Sequence, residues 1–188
     1  MTIKQWQPYY LGYSARMQRN VVQFADRARE ELKGVGFAST GPQGPAGGVL
    51  SYADFYALMP PDNAATVAPG TDVSFPQDGP NSGSGIARSG PDSFNLAEIG
   101  TYQVLFQVSV TEAGQLILTL NGEDLAYTVA GRAAGTTQIV GMAIVETTSV
   151  NSVLTVRNPE GTAAALTITP LAGGTRPVSA HLVITRIQ

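Results

Sequence analysis

Between Gly100 and Thr111 the chain reads Gly-Thr-Tyr-Gln-Val-Leu-Phe-Gln-Val-Ser-Val-Thr, and this run constrains the fold more than any other. Tyr102, Val104, Phe106, Val108 and Val110 alternate with Gln103, Gln107 and Ser109. A period of two places one set on a buried face and the other toward solvent, the pattern of a half-covered β-strand. Ala113-Gly114 then turns the chain into Gln115 to Leu120, where Leu116, Leu118 and Leu120 share the inner face. Asn121-Gly122 is a hairpin turn pair, and Leu125 to Ala130 reads as the returning strand.

The same grammar extends over the rest of the chain. Strand-like runs occupy Val49 to Met59, Thr71 to Phe75, Thr136 to Thr148, Ser152 to Arg157, Ala164 to Thr169 and Val178 to Ile187. Pro60-Pro61-Asp62-Asn63 ends the first, because proline cannot donate to a ladder. Pro76 to Pro91 reads as a long surface loop with one short strand at Ile86-Ala87-Arg88. About eight to ten short strands separated by Gly, Pro and Asn turns predict an all-β sandwich of the jelly-roll kind. Two runs are apolar on both faces: Ile139, Val140, Met142, Ile144 and Val145 in one, Leu182, Val183, Ile184 and Ile187 in the other. A sandwich sheet has one inner face, so the second apolar face needs another cover. Another subunit is the simplest, and Val140, Met142, Ile144, Leu182 and Ile184 are the expected contact residues.

The first 48 residues follow other rules. Residues 1–38 form an aromatic-rich segment with Trp6, Tyr9, Tyr10 and Tyr13, then a helical stripe of Met17, Val21, Phe24, Ala28 and Leu32. Spacings of four, three, four and four put these five on one side of an α-helix over about residues 14–33, with Ser14 as N-cap and Gly34 or Gly36 as stop. So narrow a stripe must pack on its own domain, on copies of itself or on a partner; a membrane-surface role suits it less, since acids interleave with the bases. Within residues 39–48, Gly41-Pro42-Gln43-Gly44-Pro45-Ala46-Gly47 places glycine at every third position with proline beside it. Only glycine fits the axis of three wound polyproline-II chains, so the tract is either a vestigial collagen-like neck or a Pro/Gly linker. Both readings set a boundary before a head at residues 49–188, and three copies suit a collagen-like neck.

Charge sharpens the boundary. Lys4, Arg16, Arg19, Arg27, Arg29 and Lys33 face Asp26, Glu30 and Glu31 before residue 41; beyond it, five arginines and no lysine accompany eleven acids. An acidic head repels phosphate backbones, so nucleic acid is not an expected partner. There is no cysteine, which excludes disulfides and thiolate metal sites. No apolar run is long enough to span a membrane, and Met-Thr-Ile-Lys-Gln-Trp lacks the apolar core of a secretory signal.

Gly-X-Y triplets leading directly into such a β-rich region resemble the collagen-like surface glycoproteins of spore-forming bacteria, including the exosporium filament protein. The likeness is carried by Tyr52 to Leu58, Asn95-Leu-Ala-Glu-Ile-Gly-Thr-Tyr-Gln-Val-Leu-Phe106, Leu116-Ile-Leu-Thr-Leu-Asn-Gly122 and Leu182 to Ile187. It spans roughly residues 47–188. The resemblance implies a homotrimeric head with the jelly roll of the tumour necrosis factor and complement globular-head superfamily, displayed on a bacterial spore or cell surface. The N-terminal segment would then hold a surface-layer or appendage protein, and the head would meet a host or surface ligand. The other expectation is a bacteriophage fibre or head-decoration tip.

Catalytic patterns are scarce. His181 is the single histidine and has no acid near it in sequence, which suits a surface or subunit-interface residue. No phosphate loop, dinucleotide fingerprint or His-rich metal motif occurs, and Asn81-Ser-Gly-Ser-Gly85 lacks the lysine of a phosphate cradle. Asp62, Asp72, Asp78 and Asp92 sit in or beside loops, where carboxylates can gather calcium, but without a known ligand spacing. The expectation is a non-enzymatic structural or interaction protein with no cofactor, calcium being the one metal to test.

Overall fold

A computed structural model describes residues 17, 20, 22–24, 26–27 and 30, and residues 48–188 except 59–61, 63–65, 134–135, 162–163, 169–174, 177 and the side chain of Val178. The chain divides into two compact units, Met1–Ala46 and Gly47–Gln188. In the first unit the described residues are helical, and Met17 and Phe24 of the stripe are exposed. Val21, Ala28 and Leu32 lie outside the described residues, as do the neck glycines Gly41, Gly44 and Gly47.

The described residues of the second unit form thirteen strands. In order they are β1 (Ser51–Leu58), β2 (Thr66–Val67), β3 (Gln77–Asn81), β4 (Ile86–Arg88), β5 (Phe94–Leu96), β6 (Gly100–Val110), β7 (Gly114–Leu120), β8 (Glu123–Asp124), β9 (Ala130–Arg132), β10 (Thr137–Thr147), β11 (Ser152–Arg157), β12 (Leu166–Thr167) and β13 (Val178–Arg186). One sheet has the order β10-β6-β13-β1-β3; the other runs β4-β5-β11-β7-β8, with β9 also on β7. Strands β12 and β2 form a small pair.

The alternation written in β6 is obeyed: Tyr102, Val104, Phe106 and Val108 are buried, and the intervening residues are not until Ser109. Facing them are Leu96, Leu116, Leu118, Leu154 and Val156 from the second sheet. Phe94 bridges the layers, with Phe55 at 4.6 Å and Phe75 at 6.0 Å between ring centroids. Each such side chain contributes roughly 1.5–3 kcal/mol on burial, and this layer holds the sandwich together. Gly141 of β10 admits the Phe106 ring: a Cβ there would stand 2.3 Å from Phe106 Cζ. The Asn121-Gly122 turn has φ of 54° and 89°, the doubly positive geometry whose twist matches paired strands.

Several sequence expectations need correction. Residues 76–91 are not simply a loop: Gln77–Asn81 pairs with β1 as an edge strand, its register broken around Gly79-Pro80. Proline is tolerated there because an edge residue need not donate to the ladder. Residues 71–75 are extended without being a strand; Asp72 bridges to Arg157, and Phe75 N–H donates to Pro91 O. In place of a strand from Leu125 to Ala130, a 3-10 turn at Ala126–Thr128 separates β8 from β9. Thr128 replaces the ladder locally, its hydroxyl accepting from Leu118 N–H at 2.9 Å and donating to Leu125 O at 2.8 Å. The strand expected over 164–169 is reduced to β12 and a bridge from Ile168 to Val110.

Leu182 and Ile184 require the most important correction. Both are fully buried between the sheets of their own chain, so neither is available to a neighbour. The β13 residues on the opposite face are His181, Val183 and Thr185.

Candidate interaction surface

The outer face of the five-stranded sheet is a grid defined by strand register. One row holds Val140, Gln107, His181 and Tyr56; the next Met142, Leu105, Val183 and Asp54; the next Ile144, Gln103, Thr185 and Tyr52. Its apolar side chains are concentrated on β10, where Val140, Met142 and Ile144 are 54%, 65% and 46% exposed. Their inward neighbours Ile139 and Val145 are buried, so β10 is apolar on both faces as the sequence implies.

This edge is held in place locally. Gln103 Nε2 lies 3.2 Å from Met142 Sδ, and Tyr127 donates its hydroxyl to Ile144 O at 2.9 Å. Tyr127 and Val129 are themselves exposed and extend the apolar strip beyond β10. On the far side of the grid, His181 meets Tyr56 edge-on at 5.9 Å and 81°. Asp54 sits one row away, with Oδ1 buried and no hydrogen-bond partner among the described residues. The Gly79 backbone covers it closely: a Cβ at Gly79 would lie 3.1 Å from Asp54 Cβ.

The loop acids do not converge. Asp62 accepts from Leu58 N–H and Gln77 Nε2, Asp72 pairs with Arg157 at 2.9 Å, and Asp78 pairs with Arg88 at 2.7 Å. The Arg88 hydrogen bond holds the Asp78 carboxyl below its ordinary value, outweighing the opposing effect of burial. Among the described residues, no three His, Asp or Glu side chains are grouped to hold a metal ion. No described helix is long and apolar enough to cross a membrane.

One strongly tuned carboxylate went unnoticed in the sequence. Glu112, at the turn from β6 to β7, accepts from Thr111 Oγ1 at 2.7 Å and from Thr167 N–H and Oγ1 at 2.6 and 2.7 Å. These donors hold its pKa at about 2, the Thr111 hydroxyl acting most strongly. Arg132 meanwhile donates to the backbone carbonyls of Glu112 and Val110. The cluster ties β12 and β9 to the end of β6, and its role is structural.

The layers, strand order and outer grid define the class: an all-β jelly-roll sandwich of tumour necrosis factor-like form. No family model matches the chain, and no curated protein matches its sequence. Among solved structures, murine APRIL at pH 8.0 is similar with a TM-score of 0.51 at 16% identity, over 72% of this chain and 98% of that one. The PRD1 vertex protein P5 gives 0.49 at 17% identity, over 76% and 100% of the two chains, and rabbit GITRL gives 0.42 at 12%, over 73% and 94%. At this identity the likeness to APRIL is one of fold.

Proposed function

We propose that this chain is a non-enzymatic display protein: three copies of the jelly-roll head assembled on a short collagen-like neck and presented at a bacterial spore or cell surface. The observation that carries the reading is the exposed strip Val140, Met142 and Ile144 on one edge of an otherwise finished sandwich. Contiguous apolar patches on a soluble head mark contact sites, whereas single exposed apolar residues need no explanation. A second copy laid over the grid removes the strip from water. Glycine at every third residue of the neck supports three as the number of copies.

In this reading the head meets a host or surface ligand. Its mechanism is multivalent: three heads on one neck raise the effective concentration of weak contacts at a surface. The N-terminal segment, with its exposed Met17 and Phe24, holds the assembly to a surface-layer or appendage protein.

Sedimentation of the full chain tests the assembly. The expected species contains three chains of 19.6 kDa. A monomer at tens of micromolar would overturn it. Deleting residues 1–38 is expected to leave the trimer intact and abolish attachment; recovery of the protein in purified phage particles would move the display site to a virion.

A further inference from the structure

Among the described residues of the head, eleven large apolar side chains are exposed: Val49, Leu50, Tyr52, Ile99, Tyr127, Val129, Val140, Met142, Ile144, Val150 and Ile187. They fall into two groups. Five belong to β10 and the turn beside it, the strip already described. The other six gather at the end of the head where β1 begins. Leu50 N–H donates to Arg186 O, and Ile187 N–H donates to Thr101 O, so both residues lie at the same end of the sheet. Arg186 donates to Ile99 O, which brings Ile99 to that end, and Asn151 N–H donates to Ala97 O, which brings the Val150 turn there as well.

Strand alternation sets their direction. Leu50 continues the outward series Tyr52, Asp54 and Tyr56, Ile187 continues His181, Val183 and Thr185, and Ile99 continues Thr101, Gln103 and Leu105. Leu50, Tyr52, Ile99 and Ile187 therefore extend the outer grid beyond its last row, on its three central strands β6, β13 and β1. All six side chains are between 43% and 60% exposed. An end of a head that met only water would gain nothing from six such side chains there.

We infer that Leu50 and Ile187 form an apolar plug with the same residues of two other copies, closing the base of the trimer directly above the neck. Chain connectivity selects the occupant. Val49 and Leu50 follow Gly47 by two and three residues, so three necks wound about one axis deliver three copies of Leu50 to nearly the same place. The inference rests on the proposed trimer and adds a second contact to it.

Cross-linking tests the contact, since the cysteine-free chain gives a clean background. Full-length Leu50→Cys is treated with a short bismaleimide, beside Glu160→Cys on the exposed turn after β11 as control. The plug requires efficient covalent dimers from Leu50→Cys and none from Glu160→Cys. A Leu50→Cys protein that sediments as a trimer yet does not cross-link overturns the plug and spares the trimer; a wild-type monomer overturns both. As a second measurement, Leu50→Ser/Ile187→Ser is expected to raise the trimer dissociation constant at least tenfold, with the circular dichroism of the head unchanged. A dissociation constant within twofold of wild type would also count against the plug.

Discussion

The two sheets of the head differ in how their outer faces are finished. On the six-stranded sheet, outward residues are closed off within the chain: Thr119 and Thr155 hydroxyls bond each other at 2.8 Å, and Thr155 donates to Asp72 at 2.9 Å. Arg157 grips the same carboxylate and also donates to Gly122 O at 3.2 Å. Thr119 and Thr155 are buried as a result, and so is Ile117. Among the described residues the outer face of the five-stranded sheet has no such cover, and its apolar strip on β10 is exposed. One face closes itself within the chain, whereas the other leaves its β10 strip exposed and Asp54 Oδ1 without a partner among the described residues. The difference locates where this protein expects company.

Replacing Leu182 by Ala attacks the comparison hardest. As a core residue it should lower the unfolding free energy of the head by about 2–5 kcal/mol, measured by urea titration at low protein concentration. An unchanged titration with lost assembly would mean that β13 presents its other face. Next in size, Asp72→Ala strands Arg157 and Thr155 on the closed face and is expected to cost about 1–2 kcal/mol, since the ion pair is only partly shielded. Equal stability would show that this face is closed by packing alone.

Glu112 gives a smaller, pH-dependent effect. Its folded pKa of about 2 lies below the ordinary 4.5, so its stabilisation is full above pH 4.5 and is lost as pH falls through 2. Because the group lies near solvent, the contribution is on the order of 1 kcal/mol. Glu112→Gln should flatten the stability profile between those values; a profile identical to wild type would remove the latch from the account. The smallest effect on the monomer belongs to Met142→Ser, expected within about 0.5 kcal/mol by urea titration. Its trimer dissociation constant should nevertheless rise tenfold or more. A large monomer effect would mean that the strip is already covered.

Much of this architecture was legible in the residues. The alternations of β6 and β7 were strong enough to place their inner faces correctly, because a one-residue slip would expose every large side chain. The edge strand β3 was not legible, since Gly79-Pro80 resembles a turn when the sheet beside it is unknown. Leu182 and Ile184 were misassigned for a related reason: in a run apolar at consecutive positions, residue type cannot say which member points inward. The β10 strip was legible, because Gly141 and Ala143 mark the crowded side and Val140, Met142 and Ile144 the other. Glu112 lay beyond reach because its donors at Thr167 are remote in sequence and meet it only through the β12 bridge.

The broken register at Gly79-Pro80 has a further consequence. In the proposed display, heads meet one another edge to edge at high local concentration, the condition in which open strands recruit strands from neighbours. A missing N–H and a bulge on β3 deny them a template, while Tyr127 occupies a carbonyl of β10 at the opposite edge. In the proposed coat of trimers, the two edges of this sheet are therefore poor templates for strand pairing, which favours contact through the faces over fusion into fibres.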